Sequence, residues 1–411
     1  MAKIHPFKAI RPTRDKVHLV ATRPYYTYKK KVLHAKLQDN PFTFLHIINP
    51  EFGSLITTEP NSVERFALVE ESYNFFRDKG VLIQEKHPSI YIYRQTAGVH
   101  EYIGIIAGAS IAEYENDSIK KHEATITSRE KMFTDYLNVV GFNAEPVLLS
   151  YAGQKNIDDF IEQKSKERAE YEFTTTDLKK HELWVLTPEE TSTIQKAFEA
   201  LPALYIADGH HRSASSAGLK KLRKENNSPS FPNEDFFLAF FVNEEKVNIL
   251  EFNRLAKTLN NHSEKEIIKQ LTSIFEVSAL SEAKKPSRPH EMTMCIEGNW
   301  YLLNCKPEII DENHPVKCLD AEILTQFVLD PILGICDLKT DDRIEFVSGE
   351  YPLIKFEKKI TQGDFKIGFV LYPLSIEEVK RVADNQLIMP PKSTWVEPKL
   401  RSGLTIYPIN E

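Results

Sequence analysis

Between Leu204 and Ser216 the chain reads Leu-Tyr-Ile-Ala-Asp-Gly-His-His-Arg-Ser-Ala-Ser-Ser, and the residues from Asp208 to Arg212 bring several kinds of chemistry together. The apolar run Leu204 to Ala207 reads as a buried strand, Gly209 allows a sharp turn or a close ligand approach, and the small residues from Ser213 onward can open a helix. Backbone N–H groups at such a helix start face an anion. Arg212 adds a planar fork suited to phosphate oxygens, Asp208 can hold a hard divalent cation, and His210 or His211 can donate to a bound group or exchange protons with it. Asp-Gly is also ordinary turn chemistry and Asp an ordinary helix cap. The polar groups nevertheless converge at the C-terminal end of a strand, where ligands collect in α/β folds.

Glu123 is the second residue of interest. It follows Lys120, Lys121 and His122 near the start of an expected helix, where a carboxylate can take a proton from a substrate hydroxyl. A helix-start acid favoured by the dipole would look the same. Other signatures are missing. There is no GxGxxG after a strand, and Lys392-Ser393-Thr394 lacks the preceding glycine of a P-loop. His122-Glu123 has Ile126 where a zincin needs its second histidine, and the protein-kinase motif set is absent.

Positioning these residues takes a large chain. At 411 residues about two to four domains are expected, and 41% hydrophobic with 27% charged residues is a globular balance. A net charge of −7 argues against nonspecific nucleic-acid binding as the main task. The four cysteines, 295, 305, 318 and 336, show no zinc spacing and read as reduced and structural. The N-terminal stretch lacks the apolar core of a secretion signal and no run is long enough to cross a bilayer, so a cytoplasmic location is expected.

Helical spacing of Phe66, Val69, Tyr73 and Phe76 predicts a helix over 61–79, and Tyr91–Gln95 with Tyr102–Ala107 predicts a strand pair. A helix over about 128–139 leads to a strand over 146–151, then to a charge-rich helix over 157–171. A strand is expected at 183–186, a capping box at Thr187–Glu190, and an apolar strand at 236–242. Further on come a helix over 263–275, a hairpin turn at Glu297-Gly298-Asn299, a helix over 319–329, strands near 343–347 and 366–371, and a capping box at Ser375–Glu378. The tail from Met389 to Leu404 reads as too polar and proline-broken for core. The expected division is an N-terminal α/β region (1–95), a core with a helical insertion (96–255), a small α/β unit (256–318) and a C-terminal α/β region (319–411).

Several stretches together carry a family resemblance. They are Pro6-Phe7-Lys8-Ala9-Ile10-Arg11-Pro12, Lys121-His122-Glu123-Ala124-Thr125, Ala207-Asp208-Gly209-His210-His211-Arg212 and the tail Lys392-Ser393-Thr394. Over nearly the whole chain they resemble the domain-of-unknown-function 1015 family. The His-Glu and Asp-Gly-His-His-Arg pair is similar to the free-serine kinases of the ParB/sulfiredoxin-like fold, although the compact serine kinases lack the outer regions and the insertion between Tyr151 and Leu201. The resemblance implies an α/β (α+β) fold with a ParB/sulfiredoxin-like nucleotide-binding core and additional N- and C-terminal regions. It implies a small-molecule kinase moving a phosphoryl group from ATP or ADP, with Mg²⁺, to free L-serine to give O-phospho-L-serine. Glu123 would then be the base, Asp208 the metal or catalytic carboxylate, and His211 a further catalytic group. Gly209, His210, His211, Arg212 and Ser213 would cradle the nucleotide. Arg94, Lys392 and Arg401 are candidates for the amino-acid carboxylate on charge alone. The rival from another class is a nucleotide-binding switch, which needs no hydroxyl-activating base. A sulfiredoxin-type reductase would want a cysteine in the turn that holds His210 and His211.

Overall fold

The computed structural model describes residues 2–411, which separate into two units. The first comprises the chain up to Lys121, then Thr125–Val247 and Pro398–Glu411; the second comprises His122–Ala124 and Asn248–Glu397.

The first unit is organised by one mixed sheet. Among the described residues its strands run in the order Ile119–Lys120, Leu204–Asp208, Val147–Tyr151, Phe236–Asn243, His100–Ser110, Tyr91–Ala97, Lys179–Val185, Tyr171–Thr174, with Ile4–His5 added to His100–Ser110. Two pairs are parallel, Ile119–Lys120 with Leu204–Asp208 and Val147–Tyr151 with Phe236–Asn243; the rest are antiparallel. The central strands are apolar on both faces, as they must be when both are covered. One face packs Ile105, Leu149, Ile206 and Phe241 against Ile157, Ile194 and Phe198 of the Lys155–Lys164 and Pro188–Phe198 helices. A second core joins Val69, Tyr73 and Phe76 of the Val63–Asp78 helix to Val140, Phe142 and Ile406.

Local signals explain most boundaries. The Ser62 hydroxyl accepts from Arg65 N–H and opens the helix expected over 61–79, whose Phe66, Val69, Tyr73 and Phe76 are all buried. Thr187 and Glu190 form the expected capping box with Pro188 at the first turn. The strand pair at Tyr91–Ala97 and His100–Ser110 forms, with Tyr91 opposite Ile106. The second unit holds an antiparallel sheet in the order Phe275–Leu280, Asn299–Cys305, Glu291–Ile296, Ile367–Val370, Asn248–Ala256, Ile344–Ser348, with Thr394–Glu397 on the start of Asn248–Ala256. Its hairpin turns at Glu297 and Gly298, both at positive φ (49° and 91°), the conformation a tight two-residue connection requires.

Several expectations are corrected. The charge-rich helix stops at Lys164, because Tyr171 already belongs to an edge strand paired with Lys179–Val185. The helix expected to 275 stops at Leu271, and Phe275 begins a strand. The 319–329 helix changes at Thr325 into a π turn. The tail is core after all: Met389, Val396, Leu400 and Leu404 are buried, and Thr394–Glu397 is a strand. The expected boundary at 95 falls inside a hairpin, and Glu291–Ile296 pairs with Ile367–Val370 across the boundary expected at 318, so backbone ladders cross both. The four cysteines are free thiols. No helix among the described residues is long and apolar enough to cross a membrane.

Candidate functional site: the Asp208–Ser213 turn

The strand Leu204–Asp208 does not end as a simple ladder. Against Val147–Tyr151, Tyr205 pairs with Ser150 and Ile206 with Leu149, but the next pair is Asp208 with Leu148, so Ala207 is an extra residue in a bulge. A bulge bends its strand and redirects the side chain that follows. That side chain is Asp208. Gly209 then takes φ 108°, and the His210–Glu225 helix begins at once, three residues before the sequence suggested. The N–H groups of Arg212 and Ser213 donate to the Gly209 carbonyl at 2.9 and 3.1 Å, closing the first turn.

Glycine is required at 209 for two reasons. The φ value lies where L side chains are strained, and an added Cβ would sit 2.8 Å from Nε and Nη2 of Arg212. The guanidinium is thus folded back over the turn. One terminal nitrogen donates to Asp208 Oδ2 at 2.9 Å and the other pairs with Glu145. Lys399 Nζ lies 3.5 Å from Asp208 Oδ1, and the Ser402 hydroxyl donates to Glu145 Oε2 at 3.1 Å. Two carboxylates and two cations therefore converge on the helix start.

The helix is held against movement. Ser213, Ser215 and Ser216 return their hydroxyls to the carbonyls of His210, His211 and Arg212, which lets polar residues line a buried face. Gly218 admits the Thr127–Val140 helix so closely that a Cβ would meet Thr134 Oγ1 at 2.6 Å. The far end is pinned by Arg223, which donates to Glu234 at 3.2 Å and to Asn410 at 2.7 Å.

The predicted residues divide by location. Asp208, Gly209, His210, His211, Arg212 and Ser213 form one turn, with His210 and Ser213 buried and the others partly exposed. Glu123 is half-buried three residues beyond the Ile119–Lys120 strand. That strand runs parallel to Leu204–Asp208, with Lys120 opposite Tyr205. The carbonyl of neighbouring His122 accepts from Met389 N–H at 2.9 Å within the second unit. Lys120 and Lys121 each lie 3.7 Å from Asp117, which accounts for their charge.

Of the three carboxylate-binding candidates, Arg94 and Arg401 have their charged groups engaged elsewhere in the first unit, and Lys392 belongs to the second. Arg94 lies four strands away from Leu204–Asp208, about 19 Å at ordinary strand spacing, pairs with Glu182 at 2.7 Å and stacks on Trp184. Arg401 is only 4% exposed; its Nε donates to His181 at 3.2 Å and its Nη2 to Thr175 and Asp177 at 2.9 Å, so its fork is already committed to the protein. Lys392, in the second unit, lies over the Phe252 ring at positive φ (60°).

Around Arg401 the electrostatics are sharply biased. Burial and the Arg401 charge push the His181 imidazole down to about 3, so it is neutral and accepts from Arg401 through Nε2 while Nδ1 faces the Tyr93 hydroxyl at 2.8 Å. Burial opposes the charge of Asp177, but the Thr175 hydroxyl and Arg401 outweigh it and hold the carboxyl at about 2. This network orders the tail that presents Lys399. Glu145, Lys399 and Ser402 escaped the sequence reading; only the turn has a local signature, and their approach to it depends on tertiary structure.

A family model described as a protein of unknown function, DUF1015, matches residues 4–322. The chain belongs to this family. No protein of curated function matches it. Among solved structures it is similar to C-terminally truncated SbnI from Staphylococcus aureus, at 14% identity and TM-score 0.40 over 74% of this chain and 87% of that one. A free serine kinase in complex with AMP matches at 15% identity and TM-score 0.37, over 70% of this chain and 89% of that one. A conserved hypothetical protein from Pyrococcus furiosus matches at 15% and 0.35, over 71% and 92%.

Proposed function

We propose that this DUF1015 protein is a small-molecule kinase that moves a phosphoryl group from ATP or ADP to the hydroxyl of free L-serine, giving O-phospho-L-serine. The observation that carries the reading is the turn itself, in which a bulged strand, an αL glycine and a helix start place Asp208 and Arg212 together under converging Glu145 and Lys399. Phosphoryl transfer needs positioning and charge neutralisation more than covalent help.

In this reading the helix start and Gly209, His210, His211, Arg212 and Ser213 bind the nucleotide phosphates. Arg212 exchanges its contacts with Asp208 and Glu145 for phosphate oxygens, a swap its bidentate fork suits. The donor set fits Mg²⁺, since Asp208 and Glu145 offer hard carboxylate oxygens on one guanidinium. When bound, the ion neutralises phosphate charge. Glu123 accepts the serine hydroxyl proton as the oxygen attacks the terminal phosphorus, and the bond from that phosphorus to the nucleotide's bridging oxygen breaks. His211 donates to the departing phosphate oxygen.

The test is phosphorus NMR of the purified protein with Mg²⁺, ATP or ADP, and L-serine among other hydroxyl metabolites. A new phosphomonoester resonance that falls at least about 100-fold in Glu123→Gln, with nucleotide affinity unchanged, is the expected result. Nucleotide binding without any product would leave a switch instead of a kinase.

A further inference from the structure

The chain carries a net charge of −7, yet the stretch between Asp15 and Asp39 contains six Lys or Arg residues and no Asp or Glu. Within it Tyr25–Thr27 forms a short 3-10 turn, and the Lys30–Asp39 helix buries only Leu37. Tyr25 is 49% and Tyr26 62% exposed, and Lys29, Lys30 and Lys31 are exposed and make no ion pair among the described residues. A helix with one buried residue gains little from tertiary packing. Its surface chemistry, aromatic rings beside a run of cations, has a different use.

The segment is tied to the phosphate turn through the C-terminal tail. Thr22 and Ser402 exchange backbone hydrogen bonds at 3.1 and 2.8 Å, Ser402 donates to Glu145, and Glu145 pairs with Arg212. Tyr28 fixes the entry: its hydroxyl bonds Thr22 Oγ1 at 2.6 Å and accepts from Arg23 N–H at 3.1 Å, while the Arg23 guanidinium lies 4.6 Å from its ring. Burial lowers the Arg212 guanidinium from its ordinary value, and Tyr26 lies near enough to oppose that shift in part.

We propose that the segment Arg23–Lys36 is the second half of the nucleotide site, in which Tyr25 and Tyr26 provide a stacking face for the base and Lys29, Lys30 and Lys31 attract the phosphate chain. This rests on the nucleotide reading above and adds where the base goes. An aromatic ring accepts any base on its π face, and exposed lysines close to an anion site raise the local concentration of a polyphosphate. The phosphates alone would be held by the turn; contact with the base is what the tyrosines add.

The full-length protein is titrated calorimetrically with ADP and, separately, with inorganic pyrophosphate, which has no base. In Tyr25→Ala/Tyr26→Ala the ADP affinity should fall about tenfold or more, pyrophosphate affinity should hold, and Tyr25→Phe/Tyr26→Phe should restore ADP binding. Replacing Lys29, Lys30 and Lys31 with alanine should weaken both ligands and flatten their salt dependence. Unchanged ADP affinity in the double alanine variant, or an equal loss for pyrophosphate, overturns the stacking assignment while leaving the phosphate turn intact. A wild-type protein that binds neither ligand overturns the nucleotide reading and this assignment with it.

Discussion

Gly209 is the residue on which the Asp208–Ser213 turn depends most directly. Its φ of 108° and the 2.8 Å clearance to the Arg212 guanidinium mean that any side chain must strain the backbone and displace Arg212 together. Gly209→Ala should therefore destabilise the protein by about 1–3 kcal/mol and weaken nucleotide binding by more than that strain explains, since the arginine moves too. Urea midpoints compared with ADP titrations of the same variant separate the two effects; a stable variant with normal ADP affinity would contradict them. At this scale the sequence was legible where chemistry is contiguous. Asp208 through Ser213 sit in one turn because adjacency in the chain guarantees adjacency in space. Arg401 was misread because charge says nothing about burial: its partners His181, Thr175 and Asp177 lie more than two hundred residues away in the chain. Glu145 and Lys399 were missed for the same reason.

Among the elements, the Tyr171–Thr174 and Lys179–Val185 hairpin carries the clearest pH dependence, because it buries a neutral His181 beside a charged Asp177. The folded imidazole sits at about 3 against an ordinary 6.5, so the unfolded chain binds a proton that the folded one refuses. That penalty is absent above pH 6.5 and grows as pH falls towards 3, by about 1.4 kcal/mol per unit at most. Asp177 acts in a lower window: its carboxyl, held at about 2 against 3.8, contributes fully above pH 3.8 and loses its contribution as pH falls to 2. His181→Gln, which keeps a donor and an acceptor but cannot titrate, should flatten urea midpoints between pH 6.5 and 4 and leave the lower limb in place. Persistence of the wild-type slope would assign the upper limb to other groups. Element types along this sheet were readable from apolar runs, the capping box and turn glycines. The bulge at Ala207 was not, since a one-residue slip between Leu204–Asp208 and Val147–Tyr151 is set by pairing across the sheet. The over-long helix had the same origin: charges continue past Lys164, and only the neighbouring strand makes Tyr171 extended.

On the scale of the molecule, the chain leaves the first unit after Val247, builds most of the second, and returns at Pro398 to complete the first. The returning residues are structural in the strongest sense. Leu400, Leu404, Ile406, Tyr407 and Ile409 are buried, Ile406 exchanges backbone hydrogen bonds with Ile10, and Tyr407 and Pro408 pair with Asn143 and Phe142. Five such side chains at about 2 kcal/mol each amount to roughly 10 kcal/mol, comparable with the whole stability of an ordinary domain. Without the tail, moreover, Asp177 loses Arg401, Asp208 loses Lys399, and the Thr22 backbone loses its bridge to Ser402. A chain ending at Glu397 should therefore keep the antiparallel ladders of the second unit and lose the cooperative transition of the first. Hydrogen exchange read on peptides from 204–225 and 291–305 distinguishes the outcomes: protection should collapse in the first peptide and persist in the second. Retained protection across 204–225 would show that the sheet and its Asp208–Ser213 turn stand without the returning strand, and that Lys399 and Ser402 tune the turn instead of building it.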